Sequence, residues 1–409
     1  MLRNSYKREK YPIWRQALII IAFLQVVLSF SIRALPVIGP EITTAAGVEP
    51  HDIGIIAGVM SIGTMCFLLG GNLTIDYYGP VRILQIDAAI GIIGVLLSLT
   101  VVWWLFIPAA FLIGIGYGPS PTAASDLLIR TSPPNRTSLI MSTKQAGVPL
   151  GGALAGVLLP AVVVFADWQA ALLVTAAFSL AGILIVQPWR KQLDNSRNMT
   201  KRPTAGNLFA WENLTTPFRV LREIPGMLPL TLAVAFFSCV QGCILAFFVT
   251  QLTTECGFPL AVAGTAFSAM QVSGTFSRII MGWLADRLGN AKTLLLLAMI
   301  SAATILVLAY VGQNWPTWLI LMLGFCLGIT SISWNGVYLA EIGRIAPHGR
   351  VGAATSGSTF FLFVAYALGP FIFSFGVPAV GSYSICFFVV AFIQLLAVPA
   401  LLRCMRLTA

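Results

Sequence analysis

GWLADRLGNAK, at residues 282–292, lies between two long apolar runs of the chain. NLTIDYYGPVR, at residues 72–82, has the same skeleton: an acid, a glycine three residues later, and a base three residues after that. The two acids, Asp76 and Asp286, are 210 residues apart, and the glycines and bases share this offset. A short charged turn that recurs between hydrophobic runs indicates two similar halves.

The composition of the 409 residues suits a membrane: 58% are hydrophobic and only 9% are charged. An apolar run of about 18 or more residues predicts a membrane-spanning helix, because ~20 residues at a rise of 1.5 Å cross the ~30 Å hydrocarbon core. The net charge of +10 could suggest a nucleic-acid partner. Its placement in the loops of one side favours membrane topology instead.

These runs predict an all-α integral membrane protein with twelve transmembrane helices in two pseudo-symmetric six-helix halves. The halves are residues 1–188 and 228–409, and a basic cytoplasmic linker at 189–227 joins them. The first run lacks a small-residue cleavage site, so we expect a spanning helix there and no cleaved signal. The expected spans are 15–38, 53–74, 82–102, 105–129, 138–164, 168–188, 228–252, 260–282, 292–311, 316–340, 352–376 and 380–402.

Basic residues fall on one side of this twelve-span topology. They precede the first span, fill the linker and occupy the loops on the linker's side, whereas the opposite loops contain no Lys or Arg. Because cytoplasmic loops are enriched in Lys and Arg, both termini are predicted to be cytoplasmic, in a bacterial inner membrane. The opposite loops have only acids, which are Glu41, Glu49, Asp52, Asp167 and Glu255.

The duplicated turn resembles the signature loop of the major facilitator superfamily of transporters. The copy around Asp286 has the whole pattern, while the copy around Asp76 has Asn72 and Tyr77 where the family has Gly and a base. The resemblance implies secondary active transport by alternating access, with a site near the membrane midplane between parallel repeats.

A second duplicated element lies at the cytoplasmic end of the fourth span of each half, where Arg136 and Arg350 are 214 residues apart. In the family, acid–base contacts at this place close the cytoplasmic side in the outward-facing state. The resemblance therefore implies that Asp76 faces Arg130 or Arg136, and that Asp286 faces Arg344 or Arg350. The alternative is loose surface pairing, which contributes less than ~1 kcal/mol.

Arg33 is a charged residue at membrane depth, where charges are costly and usually functional. It follows Arg15 by eighteen residues, about 27 Å along a helix, which places it in the outer part of the bilayer. Its side chain either reaches the outer interface or faces a central cavity and holds an anion. The segment from Arg33 to Ile42 resembles the first-span arginine segment of the superfamily's organic-anion branch, but Ile32 replaces the acid that often precedes that arginine.

Three further charges lie within or beside spans. Asp126 and Lys144 are equally distant from the turn near Asn135, so we predict an ion pair at similar depth; a site for substrate or proton coupling is the alternative. Arg278 is expected to order the inner end of the eighth span. Weaker candidates for the substrate site are the polar residues at mid-span depth, Tyr117, Ser120, Gln241, Gln271, Trp334 and Asn335.

The preferred function is transport of a small organic anion, a carboxylate, together with a proton, by a chain that works as a monomer. Efflux of drug-like or amphipathic molecules by the same fold is the alternative. The sequence contains no Walker A motif, so we do not expect ATP to drive transport. No Cys or His spacing indicates a metal site, and no cofactor is expected. A membrane enzyme needs clustered His, Asp or Glu, whereas His51 and His348 are predicted on opposite sides. A receptor that does not transport is a further alternative, and an uptake assay in proteoliposomes would distinguish it from a transporter.

The count of basic residues makes a topological prediction. A reporter inserted in the loop between Arg190 and Arg222 should report a cytoplasmic location, and one at Glu49 an external location, because basic loops stay in the cytoplasm. Reporters that locate both sites to the same side would contradict the twelve-span topology.

Overall fold

Helices make up the computed structural model, which describes residues 13–70, 72–120, 123, 127–128, 140, 143–195, 197, 219, 221–347 and 350–408. We refer to residues 13–193 as the N-terminal segment and to residues 227–408 as the C-terminal segment. The helices of the N-terminal segment are α1 (Ile13–Val37), α2 (Gly39–Ala46), α3 (Ile53–Gly70), α4 (Asn72–Tyr78), α5 (Pro80–Leu97), α6 (Trp103–Tyr117), α7 (Gly147–Phe165), α8 (Trp168–Val186) and α9 (Arg190–Leu193).

The C-terminal segment continues with helices of similar length and order. They are α10 (Met227–Thr254), α11 (Leu260–Leu288), α12 (Asn290–Ala309), α13 (Thr317–Ser331), α14 (Asn335–Ile345), α15 (Val351–Val380), α16 (Tyr383–Leu395) and α17 (Ala397–Thr408). No strand occurs in the described part of the chain. This is expected in lipid, where a helix satisfies its backbone hydrogen bonds internally.

Ten stretches of helix in the described residues are long and apolar enough to cross a membrane. They match ten of the twelve expected spans. The fourth expected span contains α6, whose 15 described residues form a shorter apolar helix. The eighth contains α11, which has 29 residues but is not among the ten. A multi-pass membrane protein is therefore confirmed, whereas a count of exactly twelve crossings stays a prediction.

The two copies of the charged turn have the same backbone. Gly79 ends α4 with φ +91° and ψ 152°, and Gly289 ends α11 with φ +91° and ψ 145°. Residues with a side chain rarely adopt this backbone conformation. Glycine is therefore required where one helix stops and the next begins in another direction. The repeated glycine thus has a local geometric cause in both copies.

Glycines also bring the N- and C-terminal segments into close contact. Helices α7 and α11 cross where a Cβ atom on Gly156 would lie 2.7 Å from the carbonyl oxygen of Gly264, and one on Gly264 would lie 2.3 Å from that of Gly156. Helices α3 and α15 meet in the same way, since a Cβ on Gly54 would lie 2.4 Å from the Pro370 carbonyl oxygen. In lipid, such small residues allow the backbone approach that provides packing energy.

Replacing Gly156 with valine should therefore lower the thermal stability of the purified protein, since overpacking a tight contact costs typically about 1–3 kcal/mol. The matched control is Gly282→Val, because Gly282 is also helical but has open space around its Cβ position. Equal losses of stability in the two variants would show that the α7–α11 contact is not tight.

Candidate functional site

Arg33 extends from α1 to the C-terminal segment. Its Nη1 donates a hydrogen bond to the hydroxyl oxygen of Tyr366 on α15, at 3.1 Å. Its Nε is buried without a hydrogen-bond partner. Of the two orientations that the sequence left open, the structure has the one in which the guanidinium group lies between the segments.

Arg278 makes the converse contact from α11 to the N-terminal segment. Its Nη1 donates to the backbone carbonyl oxygen of Gln145 at 3.1 Å, and its Nε is also buried without a partner. The sequence predicted that Arg278 orders the inner end of its own helix. The structure instead directs this side chain across the interface, because the α7–α11 contact brings residue 145 beside it.

Tyr117, at the end of α6, interacts electrostatically with both arginines and with Tyr366. Within the described residues, neither arginine forms an ion pair with a carboxylate. Two half-buried arginines, each with a buried and unpaired Nε, therefore interact with one tyrosine. Because a buried charge is stable only when it is compensated, this arrangement is suited to hold an anion.

The remaining predicted polar residues divide into two groups. Gln241 and Trp334 contact each other within the C-terminal segment, where the Gln241 Oε1 accepts a 3.1 Å hydrogen bond from the indole Nε1. Gln271 is buried against α7, so that a Cβ on Gly152 would lie 2.0 Å from its Nε2. Gln271 thus lies at the interface of the segments, as does Arg33, whereas Gln241 and Trp334 form a pair within one segment.

Helices are interrupted at corresponding places in the two segments. Helix α13 ends at Ser331 and α14 begins at Asn335, a half-buried residue, so that residues 332–334 lie outside regular helix. Helix α6 ends at Tyr117, and a turn at residues 118–119 precedes Ser120. Ser120 and Trp334 are 214 residues apart, the offset found for the second duplicated element. Paired interruptions of this kind point to a binding site in transporters.

The predicted Asp126–Lys144 pair is described for one partner only. Lys144 is buried, with 1% of its surface exposed. Asp126 lies outside the described residues, so the ion pair stays a prediction.

The predicted gate residues have other contacts in this conformation. Arg344 donates to both carboxylate oxygens of Glu341, at 2.8 and 3.0 Å, and Arg350 pairs with Glu223. Asp286 is exposed and forms no ion pair with a described residue. The expected contact of Asp286 with either base is thus not made in this structure, since nearer acids occupy both bases. In the first copy, Arg130, Arg136 and the side chain of Asp76 lie outside the described part.

Two contacts were not anticipated from the sequence. Tyr366 was missed, although it is the only polar residue in the apolar stretch 360–372, which is a weak signal. Asp194 was missed because it belongs to the linker, yet its carboxylate accepts hydrogen bonds from the backbone N–H groups of Val81 and Arg82 at 2.8 and 3.0 Å. It therefore caps the first turn of α5, next to Gly79.

This cap balances two opposing effects. Burial raises the pKa of the Asp194 carboxyl, while the two backbone donors and Arg190, at 3.7 Å, act to lower it. A carboxylate at a helix N-terminus is favoured by the unpaired N–H groups and by the helix dipole. The linker is thereby attached to the charged turn of the N-terminal segment.

Asp194→Ala should lower the thermal stability of the protein by about 0.5–2 kcal/mol, the usual effect of losing a helix cap. Asp167→Ala is the control, because Asp167 caps α8 at the surface with one hydrogen bond, to the N–H of Ala170. We expect the larger loss for Asp194, which is itself buried and accepts two hydrogen bonds. A loss as small as that of the control would mean that the linker is not held at this turn.

Comparison with known proteins agrees with the membrane fold. A family model described as Major Facilitator Superfamily matches residues 21–370. An MFS-type transporter of Mycobacterium tuberculosis (strain CDC 1551 / Oshkosh) is 24% identical over 314 residues, which are 75% of this chain but 66% of the relative, slightly under two thirds of its length. The hexuronate transporter of Bacillus subtilis (strain 168) is 22% identical over 98% of this chain and 96% of the relative.

A local match and the solved structures complete this comparison. The class E tetracycline resistance protein of Escherichia coli is 27% identical over 119 residues, which are 29% of this chain and 27% of that protein. A mutant of the peptide transporter POT superposes with a TM-score of 0.77 at 15% identity, covering 100% of this chain and 97% of the other. An inward-facing bacterial homologue of the human lysosomal transporter Spinster gives 0.72 at 13% identity, with 98% of each chain covered. At such identities the likeness concerns the fold alone.

Proposed function

The chain belongs to the major facilitator superfamily of membrane transporters, and we propose that it moves a small organic anion, a carboxylate, together with a proton by alternating access. The proposed architecture has twelve crossings in two halves, 1–188 and 228–409, joined by the cytoplasmic linker 189–227. We place both termini in the cytoplasm of a bacterial cell and take the functional unit to be a monomer.

The pair of arginines whose Nε atoms are buried without a partner carries this proposal. Arg33 and Arg278 come from different segments, both interact electrostatically with Tyr117, and have no carboxylate partner within the described residues. A substrate carboxylate would supply the missing negative charge, and a guanidinium group can bind both of its oxygens at once. The relative named hexuronate transporter acts on a carboxylate, which supports the same substrate class.

Alternating access requires contacts that open on one side when they close on the other. In this structure the segments meet near the loops predicted to be external, where the Ser374 hydroxyl donates to the His51 carbonyl oxygen at 2.7 Å. On the opposite side, Arg344 and Arg350 are paired away from Asp286. We interpret this conformation as inward-facing, with the arginine pair reached from the cytoplasm.

Efflux of drug-like molecules is the second candidate, because a tetracycline resistance protein matches 29% of the chain. A site for amphipathic molecules needs a mainly apolar lining with few polar groups. Two uncompensated guanidinium groups at the interface favour the anion over this alternative.

Substitution of Arg33 tests the anion proposal. A thermal-stability screen with hexuronates and other organic acids would first identify a ligand, since a ligand stabilises the state that it binds. Arg33→Lys should then weaken binding, and Arg33→Gln should nearly abolish uptake, because a charge-assisted contact contributes about 1.5–3 kcal/mol, or roughly ten- to a hundred-fold in affinity.

The control for this experiment is Arg403→Gln, which removes an exposed arginine of α17 that has no role in the site or the gate. It should leave the affinity for the ligand unchanged. Wild-type rate and affinity in Arg33→Gln, with normal membrane expression, would contradict the anion proposal and favour drug efflux.

Asp286→Asn tests the gate. If Asp286 forms its contacts only in the outward-facing state, their loss should shift the population towards inward-open states, in proportion to the difference in energy between the two states. Cysteine accessibility from the cytoplasmic side should rise. Unchanged accessibility in a folded variant would leave Asp286 as a solvated surface charge.

A further inference from the structure

Asp87, in the middle of α5, is an acidic residue that is not part of the proposed substrate site. Its side chain is buried, with 2% of its surface exposed, and its Oδ2 has no hydrogen-bond partner. It forms no ion pair with a described residue. An ionised carboxylate in such a place lacks a cation among the described residues, and its Oδ2 lacks a donor, to compensate its desolvation.

A narrow gap adjoins Asp87. Its polar lining comes from Ser31 on α1, Tyr117 on α6 and Ser179 on α8, and its other walls are apolar or glycine. No part of the gap is wide enough for a water molecule. Of the lining residues contributed by the three helices packed around Asp87, only Tyr117 has a titratable side chain, and no lining residue other than Asp87 has a charge.

Tyr117 therefore has two neighbourhoods. One side of it lines the gap with Asp87, and its hydroxyl interacts electrostatically with Arg33 and Arg278. Tyr117 is thus a neighbour of both the carboxyl group and the arginine pair. A change in the charge of Asp87 would be felt at the anion site, because electrostatic interactions are weakly screened away from water.

We propose that Asp87 is the residue that binds the coupled proton, and that Tyr117 couples this proton site electrostatically to the anion site. This inference rests on the proposed function. In the outward-facing state a proton from external water forms an O–H bond with the Asp87 carboxylate. When the gap opens to cytoplasmic water in the inward-facing state, that bond breaks and the proton leaves. One proton and one monovalent anion then cross together without net charge.

The sign of the coupling follows from charge. An ionised Asp87 places a negative charge near Tyr117 and opposes a substrate anion at the arginines, whereas protonation removes this opposition. Proton and anion should therefore favour each other's binding, and linkage makes the effect reciprocal. Anion affinity in the wild type should fall as the pH rises.

The first test does not depend on the substrate. Infrared spectra of the purified protein in lipid should contain the carbonyl band of a protonated carboxylic acid near neutral pH, and Asp87→Asn should lose it. Asp286→Asn is the control, because Asp286 is exposed and its loss should leave the band unchanged. Identical spectra of Asp87→Asn and wild type across the pH range would overturn the proposal.

The second test uses radiolabelled glucuronate in proteoliposomes. Asp87→Asn should still exchange internal for external glucuronate, with an affinity that no longer depends on pH, and should lose accumulation driven by a proton gradient. Ser179→Ala, which alters the same gap without removing a titrating group, should keep accumulation. Proton-driven accumulation in Asp87→Asn would overturn the proposal.

These experiments distinguish a failure of the substrate assignment from a failure of the proton site at Asp87. If the wild type neither binds nor exchanges glucuronate, the substrate assignment fails, while the infrared band still decides whether Asp87 holds a proton. If Asp87→Asn does not fold, Asp87→Glu keeps the acid in the same gap. Asp87→Glu should retain the band and accumulation with a shifted pH dependence, and loss of both in a folded Asp87→Glu would contradict the proton site.

Discussion

Uncompensated positive charge within the membrane is the central constraint on this protein. The Nε atoms of Arg33 and Arg278 are buried without an acceptor, and each guanidinium group donates to a neutral oxygen of the other segment. Charge in a low-dielectric interior strongly favours any arrangement that brings an anion to it. The interface between the two segments is built around this need, since each arginine reaches across to the other segment.

The close glycine contacts explain how that interface can be both tight and changeable. Where Gly156 meets Gly264, backbone packs on backbone, and the side chains of Pro160 and Ser268 fill the space beside the two glycines. Packed surfaces of this kind tend to have discrete arrangements instead of deforming continuously. Substrate charge at the arginines and helix contact at the glycines thus act on the same interface.

The two copies of the charged turn illustrate how tertiary structure breaks a sequence repeat. Both use a glycine with φ +91°. Only the first has a carboxylate over it, because Asp194 of the linker packs against Gly79, whereas a Cβ on Gly289 would meet nothing within 4 Å. The two turns therefore share a backbone geometry but differ in what packs against them, and the linker packs against the first turn only.

The sequence by itself determined the helical membrane fold, the offset of the duplicated turn and the place of Arg33 within the first apolar helix, because apolar run length and residue spacing are local properties of a helix. Tertiary structure alone decided which way the buried charges point. Arg33 meets a tyrosine 333 residues away, and Arg278 meets a carbonyl group 133 residues away. Such contacts depend on how each helix is rotated and crossed against its neighbours, and no local pattern encodes that rotation in a helix that is apolar on nearly every face.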